Sequence, residues 1–288
     1  MSAIIKNRYD FIFLYDVKDG NPNGDPDQAN LPRADAENQE GLVTDVCIKR
    51  KVRNYVMLKH GLKYPHDIFI RQGNVLGTEI AKIDVKDETK KDKHEVIKDR
   101  QGSLCEKYYD IRTFGAVLAV GDKPSGTIRG PVQFTFSRSK DRIYQAEHSL
   151  TRCCVTTERE KAEQDKKDRE FASTFGRKST VPYALYRMHG FVSAIDAVKS
   201  GFTEDDLSLL WESLLNAFEH DRAAARGEMN PRKLIIFKHS NHLGNARSGE
   251  LFDKVVIESM VDLPRDYKDY KVTIDKNVPS GVELIEVL

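Results

Sequence analysis

The segment from Tyr9 to Val17, which reads YDFIFLYDV, constrains the fold of this chain more than any other part of the sequence. Apolar residues occupy both alternating positions in its middle, whereas a strand with one wet face alternates apolar with polar residues. It therefore predicts a central β-strand that is covered on both faces. The 288 residues are enough to bury a sizeable core around such a strand.

Helix and strand patterns alternate along the rest of the chain. One helix is predicted over residues 44–59, and a second over residues 203–226, opened by a capping box of Thr203 and Asp206 and closed by Gly227. Strands are predicted at residues 132–136, 148–156, 181–194, 233–239, 254–258, 270–274 and 282–287. This order predicts an α+β fold of the ferredoxin-like type, with the helices on one face of the sheet.

Two charged segments interrupt this pattern. Residues 60–107 are irregular and predict an exposed, partly helical insertion. Residues 151–180 carry eight basic and six acidic side chains between two predicted strands, which indicates a hairpin that projects from the body. A connection of that length inside a compact domain is usually functional or disordered. We expect both segments to be additions to one domain spanning residues 1–288.

The formal net charge of +1 conceals an uneven distribution of charge. Residues 46–60 hold five basic and no acidic side chains, and on a helix Lys49, Arg50 and Arg53 cluster about a third of a turn from the apolar stripe. Such a cluster is either a solvated helix flank or a phosphate-binding face. The acidic segment 1–45 also allows head-to-tail contact with the basic segment of an identical chain.

A groove for a nucleic-acid backbone needs spaced cations, flexible Gly and Asn backbone and a few flat side chains. The candidate RNA-binding residues are Asn21, Asn23, Arg33, Lys49, Arg50, Arg53, Arg112, Phe114, Arg129, Arg177 and Lys178. Phe114 is more readily explained as a core residue. No aromatic motif of the RNP1 type is present, so we expect no base-specific stacking on the sheet.

Motifs of well-known enzyme classes are absent. The sequence has no GxxxxGK[ST], GxGxxG, GxSxG or HExxH, and its four cysteines form no CxxC pair, which makes a zinc site unexpected. The His220–Asp221 dipeptide is more readily a polar helix end than part of a metal site. The same holds for His239 and His242, which enter a Gly-Asn loop. We expect no enzymatic activity, no metal and no cofactor.

Six blocks of sequence, in order along most of the chain, resemble a known family. They read GNPNGDPD, GLVTDVCIKRKVRN, YYDIRTFGAV, RGPVQF, TFGRKSTVPYALYRMHGF and FEHDRAAARGEM. Together they are similar to the CRISPR-associated backbone subunit of the type I-C surveillance complex, Cascade, in the Csd-two branch of the Cas-seven family. The resemblance spans residue 7 to about residue 247.

This resemblance implies a hand-shaped protein with a modified RRM-like palm, a helical fingers insertion near residues 60–107 and a β-hairpin thumb near residues 156–180. Phe171 and Phe175 would lie in the thumb. It also implies the partners: CRISPR RNA, target DNA paired through that guide, further copies of the chain head-to-tail, and the guide-handle-binding, large and small subunits of Cascade. The resemblance carries no catalytic residue to this chain.

Two other functions compete with this interpretation. The loop acids Asp25 and Asp27 could serve a metal-dependent ribonuclease of the same fold, although Asp in such a loop more often makes a turn. The chain could also be an RNA-binding α+β protein outside CRISPR. No apolar run approaches the length of a membrane span and Met1–Tyr9 is not apolar enough for a signal peptide, so we expect a cytoplasmic protein.

Overall fold

The computed structural model describes residues 2–119, 121, 123, 125–152, 154–155, 157–165 and 174–288. The strands are β1 Tyr9–Gly20, β2 Gly24–Asp25, β3 Leu31–Pro32, β4 Glu40–Val43, β5 Gly115–Val117, β6 Thr127–Arg129, β7 Val132–Phe134, β8 Ser137–Arg142, β9 Ala146–Arg152, β10 Thr174–Val192, β11 Glu228–His239, β12 Val255–Ser259, β13 Tyr270–Ile274 and β14 Val282–Glu286. The helices are α1 Asp45–His60, α2 Leu76–Ala81, α3 Lys93–Lys107, α4 Tyr109–Phe114, α5 Glu158–Asp165, α6 Ala194–Ser200, α7 Glu204–Leu215 and α8 Ser248–Phe252. Within these residues, no helix is both long and apolar enough to cross a membrane.

A large antiparallel sheet organises the molecule around β1. Its strand order is β14-β11-β1-β10-β8-β4, and β7 and β9 also pair with β10. Tyr9 is opposite Val192 of β10 on one side and Lys238 of β11 on the other. The prediction of a central strand over residues 9–17 is confirmed, as is a mixed α and β architecture.

Both faces of β1 are buried, each against a different layer. Phe11 and Phe13 pack in the core beneath α1 and α7, and the Phe11 ring lies 4.9 Å from that of Trp211. Ile12 and Leu14 pack on the opposite face, against the β12–β13 hairpin and the short helix α8. The expected placement of all helices on one face is therefore wrong for α8, because Leu251 and Phe252 bury themselves against the second face.

Helix α7 begins as predicted and ends eleven residues early. Thr203 and Asp206 form the capping box, and the helix ends at Leu215 instead of running to residue 226. Beyond it, Phe218 turns into the core and stacks on Phe13 at 6.4 Å between ring centroids. Gly227, predicted as the end of a helix, precedes β11 with a φ of 59°. Tertiary packing here overrides the helical propensity of the alanine-rich segment.

The predicted strand at residues 132–136 is also shorter than expected. It ends at Phe134, and Phe136 is 51% exposed where the alternation predicts a buried side chain. The ladder is interrupted at Thr135 because the His189 backbone N–H donates to the Thr135 hydroxyl at 3.1 Å and not to its carbonyl oxygen, although the Thr135 N–H still donates to the His189 carbonyl oxygen. Phe136 therefore lies between β7 and β8 and outside the core.

The insertion at residues 60–107 is better ordered than its composition suggests. It contains α2 and α3 and packs a small core of its own, which also takes in residues that follow it in the chain. That core comprises Phe69, Ile80, Ile83, Leu104, Cys105, Tyr108, Ile111 and Leu118. Few apolar residues build it, which explains why the sequence shows little periodicity there.

A projecting hairpin is formed by β9 and the first part of β10. The paired arms run from Ala146 opposite Thr180 to Arg152 opposite Thr174, so residues 174–180 belong to a strand and not to the tip. Helix α5 follows β9. Phe175 is opposite Thr151 in the ladder, whereas its side chain and the whole of Phe171 lie outside the described residues. Their predicted role in the thumb stays a prediction.

Candidate nucleic-acid interface

An open cleft of about 1290 Å³ runs along the first turns of α1. Its other walls come from the loop after β1, from the insertion near Arg71, from the α4–β5 turn and from residues 221–226. Five basic side chains line it: Lys49, Arg50, Arg53, Arg71 and Arg226. Asp221 is the one acidic residue among the lining residues that the structure describes. The cleft therefore presents a surface with more basic than acidic side chains, which favours a polyanion.

The loop after β1 is held in place by its own asparagines. The Asn23 Oδ1 atom accepts hydrogen bonds from the backbone N–H and the hydroxyl of Thr44, both at 2.9 Å, which joins the loop to the start of α1. The Asn21 Nδ2 atom donates to the Asn30 carbonyl oxygen at 2.7 Å. Both predicted asparagines line the cleft. Their amides shape the loop, as expected of Asn in turns.

Arg50 is the most available cation on α1. Its side chain is exposed and has no ion-pair or hydrogen-bond partner within the part of the chain that the structure describes. Lys49, one residue earlier, pairs with Asp45 at 2.9 Å and lies 5.6 Å from the centre of the Phe114 ring. The two neighbours thus offer a free guanidinium and a partly neutralised ammonium.

Arg53 reaches the cleft from a buried position. It is 8% exposed, its Nε atom donates to Asp110 at 2.8 Å, and its guanidinium covers the Phe114 ring at 5.3 Å. Asp110 also accepts the backbone N–H groups of Phe69 and Ile70. The pair joins α1 to α4, and Asp110 links both to the insertion, so Arg53 is first of all a structural residue. Phe114 is likewise in the core, beside Phe134.

Arg112 and Arg129 do not reach the cleft. Arg112 is buried and makes two hydrogen bonds to the Asp206 carboxylate, at 2.9 and 2.7 Å, and a third to the Cys105 carbonyl oxygen at 2.7 Å. Arg129 is 78% exposed and pairs with Asp196 on α6 at 3.4 Å. The fold therefore directs both predicted RNA-binding side chains away from the cleft.

The loop acids are engaged in local structure. Asp25 accepts the backbone N–H of Asp27 at 3.2 Å and pairs with Arg33 at 3.3 Å, which makes it the cap of a short 3₁₀ turn. Asp27 is exposed. Across the described residues, no group of three or more His, Cys, Asp and Glu side chains is arranged to hold a metal ion.

The two histidine motifs are structural as well. His239 is fully buried and bonds to Asp10 at 2.9 Å, while its Nδ1 atom accepts the backbone N–H of Asn245 at 2.8 Å. His242 is exposed in the loop beyond it. Asp221 of the HD dipeptide pairs with Lys51 and Arg226.

A smaller pocket of about 240 Å³ adjoins the cleft at the base of the hairpin. Arg177 and Lys178 of β10 line it, together with Glu147 of β9. The pocket and the cleft share Asn21 and Asn30 in their walls. The fold therefore brings the predicted hairpin cations next to the loop and to α1, although more than 120 residues separate them in the sequence.

Arg71 and Arg226 are cleft residues that sequence reasoning missed. Arg226 is held against the end of β1, where the Asn21 N–H donates to the Ala225 carbonyl oxygen at 2.7 Å. Glycine is needed at this close approach, because a Cβ on Gly20 would lie 1.9 Å from the Arg226 carbonyl oxygen. The glycines at positions 20 and 227 are the sequence signal for this close approach, although the pattern before Gly227 also predicts a helix end.

A compact ionic cluster forms the wall at residues 221–226. The Lys51 ammonium pairs with the Asp221 carboxylate, and the Arg226 Nε atom lies 3.4 Å from the same carboxylate. Arg226 also donates from Nη1 to the Pro22 carbonyl oxygen at 2.9 Å. Burial raises the pKa of the neighbouring Cys47 thiol, opposed by Lys51 and Arg226. That thiol is consequently protonated and unreactive near neutral pH.

Comparison with known proteins converges on one family. The family model described as CRISPR-associated protein Cas7 matches residues 7–275. The CRISPR-associated protein Cas7 of Haloferax volcanii is 24% identical over 312 aligned positions, which cover 98% of this chain and 83% of that protein. A chain of a solved CRISPR RNA-guided surveillance complex, pre-nicking, superposes with a TM-score of 0.50 and 14% identity, over 80% of this chain and 78% of that one. At 14% identity, this structural likeness concerns the fold alone.

Proposed function

Because the chain belongs to the CRISPR-associated Cas7 family, we propose that it binds guide RNA in the cleft along α1 and serves as a backbone subunit of an RNA-guided complex. One observation carries the proposal. Five cations and a single acid line an open cleft that adjoins the base of the projecting hairpin. A single-stranded polyanion fits this combination of length, charge and openness better than a small metabolite does.

The chemistry of the cleft suits the RNA backbone and not the base edges. Its polar groups are guanidinium, ammonium and asparagine side chains, which bind phosphate and ribose without regard to sequence. A subunit that must accept any guide has to leave the bases free for pairing with the target. Affinities for unrelated single-stranded RNAs of equal length should therefore agree closely.

We extend the proposal to the finer architecture and partners that the sequence predicts. The main sheet with α1 and α7 corresponds to an RRM-like palm, the insertion with α2 and α3 to the fingers, and the β9–β10 hairpin to the thumb. On this proposal, the chain is the backbone subunit of a type I-C Cascade, and its copies assemble head-to-tail on one guide RNA. They then present it to target DNA alongside the guide-handle-binding, large and small subunits.

Binding without cleavage is part of this proposal. Asp25 is engaged by Arg33 and by the turn that it caps, so its carboxylate has a structural role in the loop. Incubating purified protein and labelled RNA with Mg²⁺ or Mn²⁺ should leave the RNA intact. Metal-dependent cutting that is lost in Asp25→Asn or Asp27→Asn would establish the ribonuclease alternative instead.

RNA binding itself is tested by its salt dependence. Each phosphate contact on a single strand contributes about 0.7 to the slope of log affinity against log salt. Replacing both Lys49 and Arg50 by Gln should lower that slope by about 1.4. The matched control replaces Arg265 and Lys271, exposed residues of the β12–β13 hairpin on the other face of the sheet, and should leave the slope unchanged. If both double variants showed the same salt slope, α1 would not be part of the RNA-binding surface.

Assembly is tested separately at the hairpin. Replacing residues 153–173 by a short Gly-Ser turn retains the paired arms from Ala146 opposite Thr180 to Arg152 opposite Thr174. We expect a folded monomer that still binds RNA through the cleft and no longer assembles regularly on a long guide. Electron microscopy decides the point, and filaments of normal spacing would contradict the thumb assignment.

A further inference from the structure

The ionic cluster on the cleft wall contains a residue whose charge has the wrong sign for a phosphate-binding surface. Asp221 is the sole acid among the described lining residues, against five cations. A carboxylate in such a place repels phosphate, and taken alone it weakens the attraction of the cleft for RNA. Its presence in the wall therefore calls for another physical reason.

One reason is that the Asp221 carboxylate neutralises the buried Lys51 ammonium. That side chain is 2% exposed, lies 5.5 Å from the centre of the Phe218 ring, and has Asp221 as its carboxylate partner. A buried ammonium without a counter-charge is strongly destabilising. This explains why an acid is needed near Lys51, but not why the same acid is shared with a cleft arginine.

The geometry of Arg226 supplies the rest. Its Nε atom lies 3.4 Å from Asp221 and its Nη1 atom donates to the Pro22 carbonyl oxygen at 2.9 Å. The hydrogen bond at Nη1 and the ion pair at Nε restrict the orientation of the guanidinium. The Nη2 atom has no partner within the described part of the chain, and the side chain is 34% exposed in the cleft wall. The Nη2 atom of the Arg226 guanidinium is therefore available to donate hydrogen bonds to an anion.

We propose that Asp221 is a positioning residue for guide binding, which holds Arg226 so that its Nη2 edge donates to a phosphodiester oxygen of the RNA. This role rests on the proposed function of the cleft. The gain arises because an arginine already restricted by a hydrogen bond and an ion pair loses less rotamer freedom when it binds phosphate. The two roles of the carboxylate oppose each other, and the positioning role outweighs the repulsion.

The proposal and simple electrostatics predict effects of opposite sign. Removing a negative charge from a cationic cleft should raise RNA affinity if charge alone matters. If Asp221 positions Arg226, the same substitution lowers affinity. Asp221→Asn keeps an oxygen that can accept from Arg226, so its affinity should fall between those of the wild type and Asp221→Ala.

The experiment is carried out in a Lys51→Met background. Methionine covers the Phe218 ring with a similar length of apolar chain and removes the ammonium that would otherwise be stranded. Thermal unfolding of each variant confirms that it is folded at the assay temperature. We expect Asp221→Ala in this background to bind single-stranded RNA about tenfold more weakly, which corresponds to about 1.4 kcal/mol. The salt slope should fall by about 0.7 as the Arg226 contact is lost.

A double-mutant cycle establishes that Asp221 acts through Arg226. With Arg226→Gln already present, only the repulsion of phosphate by Asp221 remains, so Asp221→Ala should no longer weaken binding and should raise affinity slightly, whereas two independent contributions would add. Equal or higher affinity of Asp221→Ala on the Lys51→Met background would overturn the proposal, as would additivity in the cycle. A wild-type protein that binds RNA with no salt dependence would instead overturn the proposed function of the cleft. The two failures are thus distinguishable.

Discussion

Helices α1 and α4 both carry arginines that the sequence predicts as RNA contacts, and the fold uses them in different ways. Helix α1 lies along the cleft with one buried side and one open side, so Arg50 faces solvent. All six residues of α4 are buried, and Arg112 is enclosed with Asp206. The same functional group is available to a ligand in one helix and part of the core in the other.

The position of the nearest acid makes the difference. Asp206 completes the capping box of α7 and also accepts two hydrogen bonds from Arg112, so one carboxylate joins α7 to α4. Arg50 has no carboxylate partner in the described chain. Arg53 is intermediate, since it lines the cleft and pairs with the buried Asp110. A cation in a buried bidentate pair is a structural element, and a cation without one is a candidate for phosphate.

The largest expected effect is on the buried pair. Arg112→Ala should lower the free energy of unfolding by about 3–5 kcal/mol, because it leaves the Asp206 carboxylate buried and without its partner. Urea denaturation measures the change. Replacing both Arg112 and Asp206 by apolar residues of similar volume should be less damaging than Arg112→Ala alone. A loss below about 0.5 kcal/mol for Arg112→Ala, the range of ordinary surface substitutions, would contradict the comparison.

Arg53→Met should be destabilising to a smaller extent. Arg53 makes one hydrogen bond to Asp110 where Arg112 makes two to Asp206, and Asp110 keeps the backbone N–H groups of Phe69 and Ile70 as donors, so about 1–3 kcal/mol is expected from the loss of its charged partner. Denaturant unfolding under the same conditions allows direct comparison with Arg112→Ala. A loss as large as that of Arg112→Ala would show that the backbone donors do not support Asp110.

Arg50→Ala should leave the free energy of unfolding within about 0.5 kcal/mol of the wild type, as is usual for an exposed side chain. Its effect should be on RNA, with the salt slope reduced by about 0.7. Filter binding across a series of salt concentrations measures the slope. Arg265→Ala, an exposed arginine in the turn between β12 and β13, is the matched control. A reduced slope in the control would mean that the cleft has no special role.

The last expected effect depends on pH and concerns Arg187, an arginine with neutral partners. It donates to the Phe252 and Val255 carbonyl oxygens and, at 2.8 Å, to the His189 Nε2 atom. Burial, reinforced by the Arg187 charge, lowers the pKa of His189 to about 4. The unfolded state therefore binds a proton first as the pH falls from about 6.5, and the stabilising effect of neutral His189 is lost between there and pH 4.

Denaturant unfolding across this pH range tests the effect. A pKa lowered from 6.5 to about 4 sets an upper limit of roughly 3 kcal/mol, and because His189 is only partly buried, solvent screening reduces the expected loss to the order of 1 kcal/mol in the wild type. The loss should be smaller in His189→Asn, which cannot titrate. His60 and His66 also have lowered pKa values, so the difference between the two proteins is the relevant quantity. Parallel stability profiles would show that His189 is not the group responsible.

Much of the architecture could be predicted from local patterns. The apolar run at Tyr9–Val17 is the central strand, α1 begins and ends within one residue of its prediction, and the Thr203–Asp206 capping box is present. These features depend on residues a few positions apart. The end of α7 could not be predicted, because it depends on Phe218 stacking on Phe13 across more than 200 residues of chain.

The features of the cleft also divide into those predictable from local sequence and those set by contacts between distant residues. The sequence by itself determined that α1 is amphipathic and that Lys49, Arg50 and Arg53 share one flank, since a helical period places them there. Only the tertiary structure decided which cations remain free. Arg112 and Asp206 are 94 positions apart and Lys51 and Asp221 are 170 apart. An ion pair forms where the folded backbone brings two charges together and excludes water from them, and no local pattern specifies that meeting.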